Sequence, residues 1–201
     1  MNVFLILSLL CLSFFCGAIP TGYLLLRGVK GQDIRDIGSG NIGSTNVRRA
    51  AGVTLSTITQ VIDILKGIIP VGIAIALNLQ VEPGNGKMMI PSAVALASIL
   101  GHDFSPFIGF RGGKGVNTTG GAFLLLAPIP VIVGVGVFCA LRIVTSIVSV
   151  RSLAMGITIP VMAGVLGLPR VVVAASWVAA FLIVIRHIEN IRRLIKRNEL
   201  K

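Results

Sequence analysis

The chain has 201 residues, of which 54% are hydrophobic and only 12% charged, with 24 glycines and a net charge of +11. That balance excludes an ordinary soluble domain and belongs to a polytopic membrane protein. It also argues against a nucleic-acid partner: the basic residues sit between apolar runs, and the chain has one Tyr and one Trp to stack on bases.

In chain order, the apolar run 2–26 lacks the basic start and small-residue cleavage site of a secretory signal, so it is expected to be a retained first helix. Cys11, Cys16 and Cys139 lie in apolar segments without metal-ligand spacing, so they are expected to be packing residues. Neither a metal nor another cofactor is expected. Further apolar runs cover 54–79, 88–110, 116–141, 150–168 and 170–186. A hydropathy count therefore gives roughly six spans.

Charge corrects that count. Arg27, Lys30, Arg35, Arg48 and Arg49 follow the first run, and Arg186, Arg192, Arg193, Lys196, Arg197 and Lys201 fill the tail. Both groups should be cytoplasmic, which an even count does not permit. Pro128 and Pro130 in "APIP" each remove a backbone donor and disfavour helix just before the ring. A turn there splits the fourth run into helices of 115–127 and 129–145. The expectation is an all-α, multi-pass chain of about seven transmembrane helices, N-terminus outside and C-terminus cytoplasmic, forming one domain over residues 1–201. The weakly charged "QVEPGNGK" would be an outer loop.

On this topology three polar stretches share the cytoplasmic face. "DIGSGNIGSTNVRR" (36–49) holds three glycines, neutral donors and two arginines. It reads either as a flexible linker with a basic anchor or as a nest whose exposed amides cradle an anion. "GFRGGKGV" (109–116) sets Arg111, Gly112, Gly113 and Lys114 before a helix, where amides, helix terminus and ammonium could hold a phosphate. It lacks the Walker A spacing, which argues against nucleotide hydrolysis, and it also reads as a basic juxtamembrane turn. "IRHIENIRR" (185–193) puts His187 and Asn190 on one helical face, with Arg186, Glu189 and Arg193 spaced to pair. His187 is either a proton carrier or a capping group.

Within the second run, Asp63 and Lys66 in "DILKG" are three apart and are expected to compensate each other's charge. His102 is followed by Asp103, and Phe107 stands where an HxxxxD acyltransferase requires its aspartate, so that mechanism is excluded.

These stretches together resemble the bacterial acyl-phosphate:glycerol-3-phosphate acyltransferase family (PlsY-type), which are integral membrane enzymes. "GSGNIGSTNVRR" is similar to GSGNxGATNxxR, "GHDFSPFIGFRGGKGV" to GHxxPxFxxFKGGKGV, and "RHIENIRRLIKRNE" to RHxxNIxRLxxGxE. DxxKG is present at 63–67, and "SIVSVRS" (146–152) is similar to RYVSLAS. The chain departs from these patterns at Ser44 and Asn117 (each for Ala), Arg111 (for Lys), Pro106 (one place late), Ser146 (for Arg) and Arg197 (for Gly). Arg142 and Arg151 are nearby substitutes for the arginine missing at 146.

The resemblance implies transfer of a fatty acyl group from a long-chain acyl phosphate to the 1-hydroxyl of glycerol 3-phosphate, giving lysophosphatidic acid and inorganic phosphate as the first acylation of phospholipid biosynthesis. It implies catalytic roles for Ser39, Arg49, Lys114, His187 and Asn190. It implies substrate binding for Asn41, Asn46, Arg111, Gly112, Gly113 and Ser152, and structural roles for Asp63, Lys66 and Glu199. Membrane lipid is the further partner, and the implied location is the bacterial inner membrane with the site facing the cytoplasm.

Acyl phosphate is already activated, so the protein chiefly needs to align a hydroxyl with the carbonyl, bind two phosphates and provide a base. No protein nucleophile has a basic neighbour in sequence, so direct attack without an acyl-enzyme is expected. The base would be His187 or the substrate's own phosphate. The rival reading is a transporter of phosphate or a phosphorylated solute, but the internal repeat typical of such folds is not evident.

Overall fold

The structure is a computed structural model that describes residues 3–78 and 88–199. The predicted outer loop "QVEPGNGK" lies outside the described residues. Those described form an all-helical fold: α1 Val3–Ala18, α2 Thr21–Lys30, α3 Ser44–Ala76, α4 Met89–Asp103, α5 Val116–Leu126, α6 Pro128–Ala140, α7 Val148–Val165, α8 Arg170–Arg186 and α9 Ile188–Ile195.

The predicted first helix is interrupted at Ile19–Pro20, because the pyrrolidine ring disfavours helical geometry at the preceding residue and provides no amide. The carbonyls released by that break are reused. Lys66 Nζ donates to Ile19 O at 2.5 Å and Ser105 Oγ to Ala18 O at 2.5 Å. Lys66 also pairs with Asp63 at 2.6 Å, with both side chains almost fully buried. The ion pair predicted in "DILKG" therefore also ties α3 to the break between α1 and α2.

Helix α3 begins ten residues before the apolar run does, so Thr45–Arg49, expected in a loop, lie on a helix. Hydropathy detects lipid-facing stretches, whereas these polar turns are held by packing over Val47 and by Gly43 at the N-cap. The helix bends at Gly52, whose φ of 84° suits a glycine, and its later part is the membrane-length piece.

Helices pack in the manner expected inside a bilayer, where close backbone approach replaces a hydrophobic driving force. Side chains at Gly17 and Gly101 would collide with Ser98 O and Phe14 O, so α1 and α4 touch backbone to backbone. Gly67 and Gly121 do the same between α3 and α5, against Thr118 O and Ile64 O. The main apolar cluster, including Val71, Val94, Ile99, Phe123, Ile159 and Val172, fills the centre of the bundle. A smaller cluster of Leu26, Ile34, Ile42, Val47 and Ile108 underlies the 36–43 loop. Large apolar side chains such as Phe4, Leu12, Ile69, Ile132 and Phe181 face outward.

Pro128 opens α6 directly after α5 ends, as the proline argument requires. Among the described residues, Val3–Lys30 taken together, Ser44–Ala76 and Val148–Val165 are long and apolar enough to cross a membrane. Arg170–Arg186 joined to Ile188–Ile195 across a 54° bend adds a fourth, and Val116–Leu126 and Pro128–Ile143 are shorter apolar helices.

Candidate active site

The three polar stretches converge at one end of α8. A cavity of about 490 Å³ is lined by Ser39, Gly40, Asn41, Arg111, Gly112, Lys114, Asn190 and neighbouring residues of α8 and α9. Lys114 Nζ donates to Asn190 Oδ1 at 2.5 Å, and Asn190 Nδ2 donates to Glu199 Oε1 at 2.5 Å. Glu199 is also gripped by Ser149 Oγ at 3.0 Å and by Arg193 Nε at 2.9 Å. One hydrogen-bonded chain thus links the glycine loop, α9, the tail and α7.

The electrostatics follow from that arrangement. Burial pushes Lys114 down to about 8, with the Glu199 carboxylate partly opposing and Arg193, Arg49 and Arg186 adding to the shift. Burial pushes Glu199 up, but hydrogen bonds from Asn190, Arg193 and Ser149 outweigh it and hold this carboxyl below its ordinary range. Burial, then the Lys114 charge, pushes His187 down to about 4, so its imidazole is neutral near pH 7. Its Nδ1 lies 2.8 Å from Ile183 O; a carbonyl can only accept, so Nδ1 carries the proton and Nε2 the lone pair.

Helix α8 ends at His187, and the bend changes the ion pairing expected of an unbroken helix. Glu189 pairs with Arg192 at 2.8 Å, and Arg193 turns to Glu199. Arg186 sends Nε to Gly113 O and Nη2 to Gly112 O, each at 2.8 Å. This clasp of Arg186 on the glycine loop was missed by sequence reasoning. The available signal was a fixed cation ending an apolar helix, which reads in sequence as cytoplasmic charge and as an ion-pair partner for Glu189.

The loop 36–43 differs from an open anion nest. Gly38 and Gly40 have φ of 58° and 68°, as a nest needs, but the amides of Ser39, Gly40 and Gly43 are used internally. Ser39 N donates to Asn46 Oδ1 at 3.0 Å, Gly43 N to Asn41 Oδ1 at 2.9 Å, and Gly40 N to Ile37 O at 3.0 Å. Asn46, expected to bind substrate, is buried and also donates to Ile34 O and Ile37 O, so its amide is spent bracing the loop. Gly113 is likewise scaffold: its N donates to His102 O at 2.9 Å and a side chain on it would strike the His102 ring, whereas Gly112 lines the cavity, and the carbonyls of both glycines hold Arg186. The groups left to face the cavity are the Ser39, Asn41, Arg111, Lys114 and Asn190 side chains.

Arg49 borders a second cavity of about 470 Å³, lined with Thr45, Arg48, Arg142, Ser146, Val148 and Arg151, while its charge also bears on Lys114. Ser152 is buried on α7 beside Arg151 and lines neither cavity. The two Ala departures at 44 and 117 meet: Asn117 Nδ2 donates to Ser44 Oγ at 3.2 Å, joining α5 to the start of α3. Among the described residues no group of three or more His, Cys, Asp or Glu side chains is placed to hold a metal ion.

Residues 7–197 match the protein family described as glycerol-3-phosphate acyltransferase. The glycerol-3-phosphate acyltransferase of Clostridium acetobutylicum is 50% identical over 187 residues, 93% of this chain and 94% of that one. That of Syntrophotalea carbinolica is 39% identical over 191 residues, 95% of this chain and 94% of that one. The fold is similar to the crystal structure of PlsY, an integral membrane glycerol 3-phosphate acyltransferase, in its glycerol 3-phosphate form, with a TM-score of 0.88, 33% identity, and 98% and 94% of the two chains covered. The lysophosphatidic acid form of PlsY gives a TM-score of 0.84 at 31% identity, with the same shares covered.

Proposed function

The chain belongs to the glycerol-3-phosphate acyltransferase family, and from this premise we propose that it acylates the 1-hydroxyl of glycerol 3-phosphate with a fatty acyl group taken from an acyl phosphate. It is an integral membrane acyltransferase of the PlsY type. The observation that carries the fuller reading is the Lys114–Asn190–Glu199 chain, which holds a half-buried ammonium at a cavity reached by all three polar stretches. The glycerol 3-phosphate and lysophosphatidic acid forms of the similar PlsY structures agree with a substrate and product that both carry phosphate.

In the proposed reaction the 1-hydroxyl oxygen attacks the acyl carbonyl carbon, the carbon–oxygen bond to phosphate breaks, and inorganic phosphate leaves. Lys114, Arg49 and Arg111 bind phosphate oxygens and offset the charge that develops on carbonyl and leaving group. Ser39 and Asn41 donate from the opposite wall, and Asn190 fixes the Lys114 ammonium. The proton passes to neutral His187, which is buried at the joint of α8 and α9 just outside the cavity lining, or to the substrate phosphate. Asp63, Lys66 and Glu199 hold the scaffold.

We place the chain in the bacterial inner membrane as a bundle of about seven spans, N-terminus out, with this cavity facing the cytoplasm. Helices shorter than a hydrocarbon core of roughly 30 Å fit by tilting or by thinning the bilayer.

The test is purified protein in lipid, given a long-chain acyl phosphate and glycerol 3-phosphate, with lysophosphatidic acid measured. Lys114→Ala and Arg49→Ala should each stay inserted and monodisperse while turnover falls at least about tenfold, the scale of one charge-assisted contact. Absence of product in the unmodified protein would sink the proposal, and uptake of labelled phosphate into sealed vesicles would promote a transporter instead.

A further inference from the structure

Helix α3 is two helices joined at Gly52. With φ of 84° and ψ of −171°, Gly52 sits in a region of backbone space that glycine alone occupies readily, and a side chain there would meet nothing within 4 Å, so the glycine serves the turn and not the packing. In a straight helix Ser44 and Ser56, 12 positions apart, would be separated by about 18 Å. Ser56 Oγ instead donates to Ser44 O at 2.9 Å. Residues 44–51 therefore double back on the membrane-length part of α3 as a short helix of their own, and that helix carries Arg49.

The short helix is held at both ends. Near its start, Asn117 reaches Ser44 Oγ, and Asn46 grips the carbonyls of Ile34 and Ile37. Val47 packs into the cluster with Leu26 of α2, and a side chain at Gly22 of α2 would strike Val47 and Ile42 O, so the two helices approach closely. At the carbonyl end, one residue beyond Arg49, Lys30 Nζ donates to Ala50 O at 2.9 Å. A helix that stops leaves its last carbonyls without helical donors, and a cation beside them also interacts favourably with the helix dipole. Lys30 is the last residue of α2, which Gly31 closes in the left-handed conformation with its amide on Arg27 O, so the ammonium is presented from the end of a terminated helix. Lys30 lines neither cavity, whereas Arg49 borders one of them and its charge bears on Lys114.

We propose that Lys30 is a positioning residue for acyl transfer: by holding Ala50 O it fixes the carbonyl end of the short helix and so the place of Arg49 at the site. The role rests on the acyl-transfer reading, in which Arg49 binds phosphate oxygens, and Lys30 acts through the backbone that bears it.

The test compares kcat/KM for glycerol 3-phosphate across a double-mutant cycle on the full chain in nanodiscs. Lys30→Met should lower it about three- to tenfold, the scale of one hydrogen bond, and Lys30→Arg, which keeps a cationic donor, should restore most of the loss. In Arg49→Ala, the same Lys30→Met change should cost less than about twofold more, because the group it positions is gone. A second readout does not use turnover: nitroxides at Arg48→Cys and Phe181→Cys, with the three native cysteines changed to serine, should give a narrow distance distribution with Lys30 present and a broader one in Lys30→Met. Near-normal kinetics in Lys30→Met, the full loss again in Arg49→Ala, no recovery with arginine, or an unchanged distance distribution would overturn the proposal. Absence of lysophosphatidic acid in the unmodified chain would sink the acyl-transfer reading and the role with it, while the distances would still show whether Lys30 holds the short helix.

Discussion

Lys114 is the residue on which the proposed chemistry turns, and its environment gives it a pH signature. With burial holding it near 8, it is cationic below that pH and loses its charge as pH rises through it. Because kcat/KM reports the free enzyme, it should fall as pH rises through about 8. Lys114→Arg, which stays protonated, should remove that alkaline limb even if its maximum is lower; a limb that persists would mean that another group titrates. The buried Asp63–Lys66 pair makes a different prediction. Lys66→Met leaves a carboxylate without its partner and removes the donor to Ile19 O, and should cost about 3 to 5 kcal/mol. Asp63→Asn/Lys66→Met should recover part of that loss when thermal unfolding in detergent is compared. Asp63 and Lys66 were legible in sequence as a pair because their spacing puts them on one helical face. The link from Lys66 to Ile19 was not, since it spans 47 positions and depends on a break made by Pro20.

At the scale of elements, glycine spacing decides which helices touch. Gly101→Leu should drive α4 away from the α1 backbone at Phe14 and lower stability by about 1 to 3 kcal/mol, seen as a lower unfolding midpoint and loss of monodispersity. Ser44 and Asn117 test whether two departures from the family pattern compensate each other. Their hydrogen bond predicts that Ser44→Ala and Asn117→Ala each cost about 0.5 to 1.5 kcal/mol and that the double variant costs little more than one of them. Strict additivity would show the two positions to be independent. Hydropathy and proline placement made the ends of α5, α6 and α8 readable to within a few residues. Polar helix did not register as such: Thr45–Arg49 read as loop because no lipid-facing stripe marks it. The bend at His187 was hidden as well, since the residues on either side carry helical spacing.

For the molecule as a whole, the bundle brings together stretches that lie far apart in sequence. Lys114 and Asn190 are separated by 76 positions and meet at 2.5 Å, and Ser149 joins Glu199 across 50. The motifs picked out stretches that meet at one cavity. They could not show which members face the cavity and which, like Asn46 and Gly113, are spent bracing it, because that depends on hydrogen bonds between elements. The proposed orientation has its own check: a cysteine placed at Ile129, beside Pro128, should react with an impermeant label only from outside, and labelling only from the cytoplasm would refute the seven-span arrangement. The central claim, direct transfer from acyl phosphate to glycerol 3-phosphate, is tested most directly by a rapid-quench time course of phosphate release and lysophosphatidic acid formation, with and without glycerol 3-phosphate. The account predicts no phosphate burst without the acceptor, and equal amounts of phosphate and lysophosphatidic acid with it. A burst matching the enzyme concentration, with the acyl group left on the protein, would contradict it.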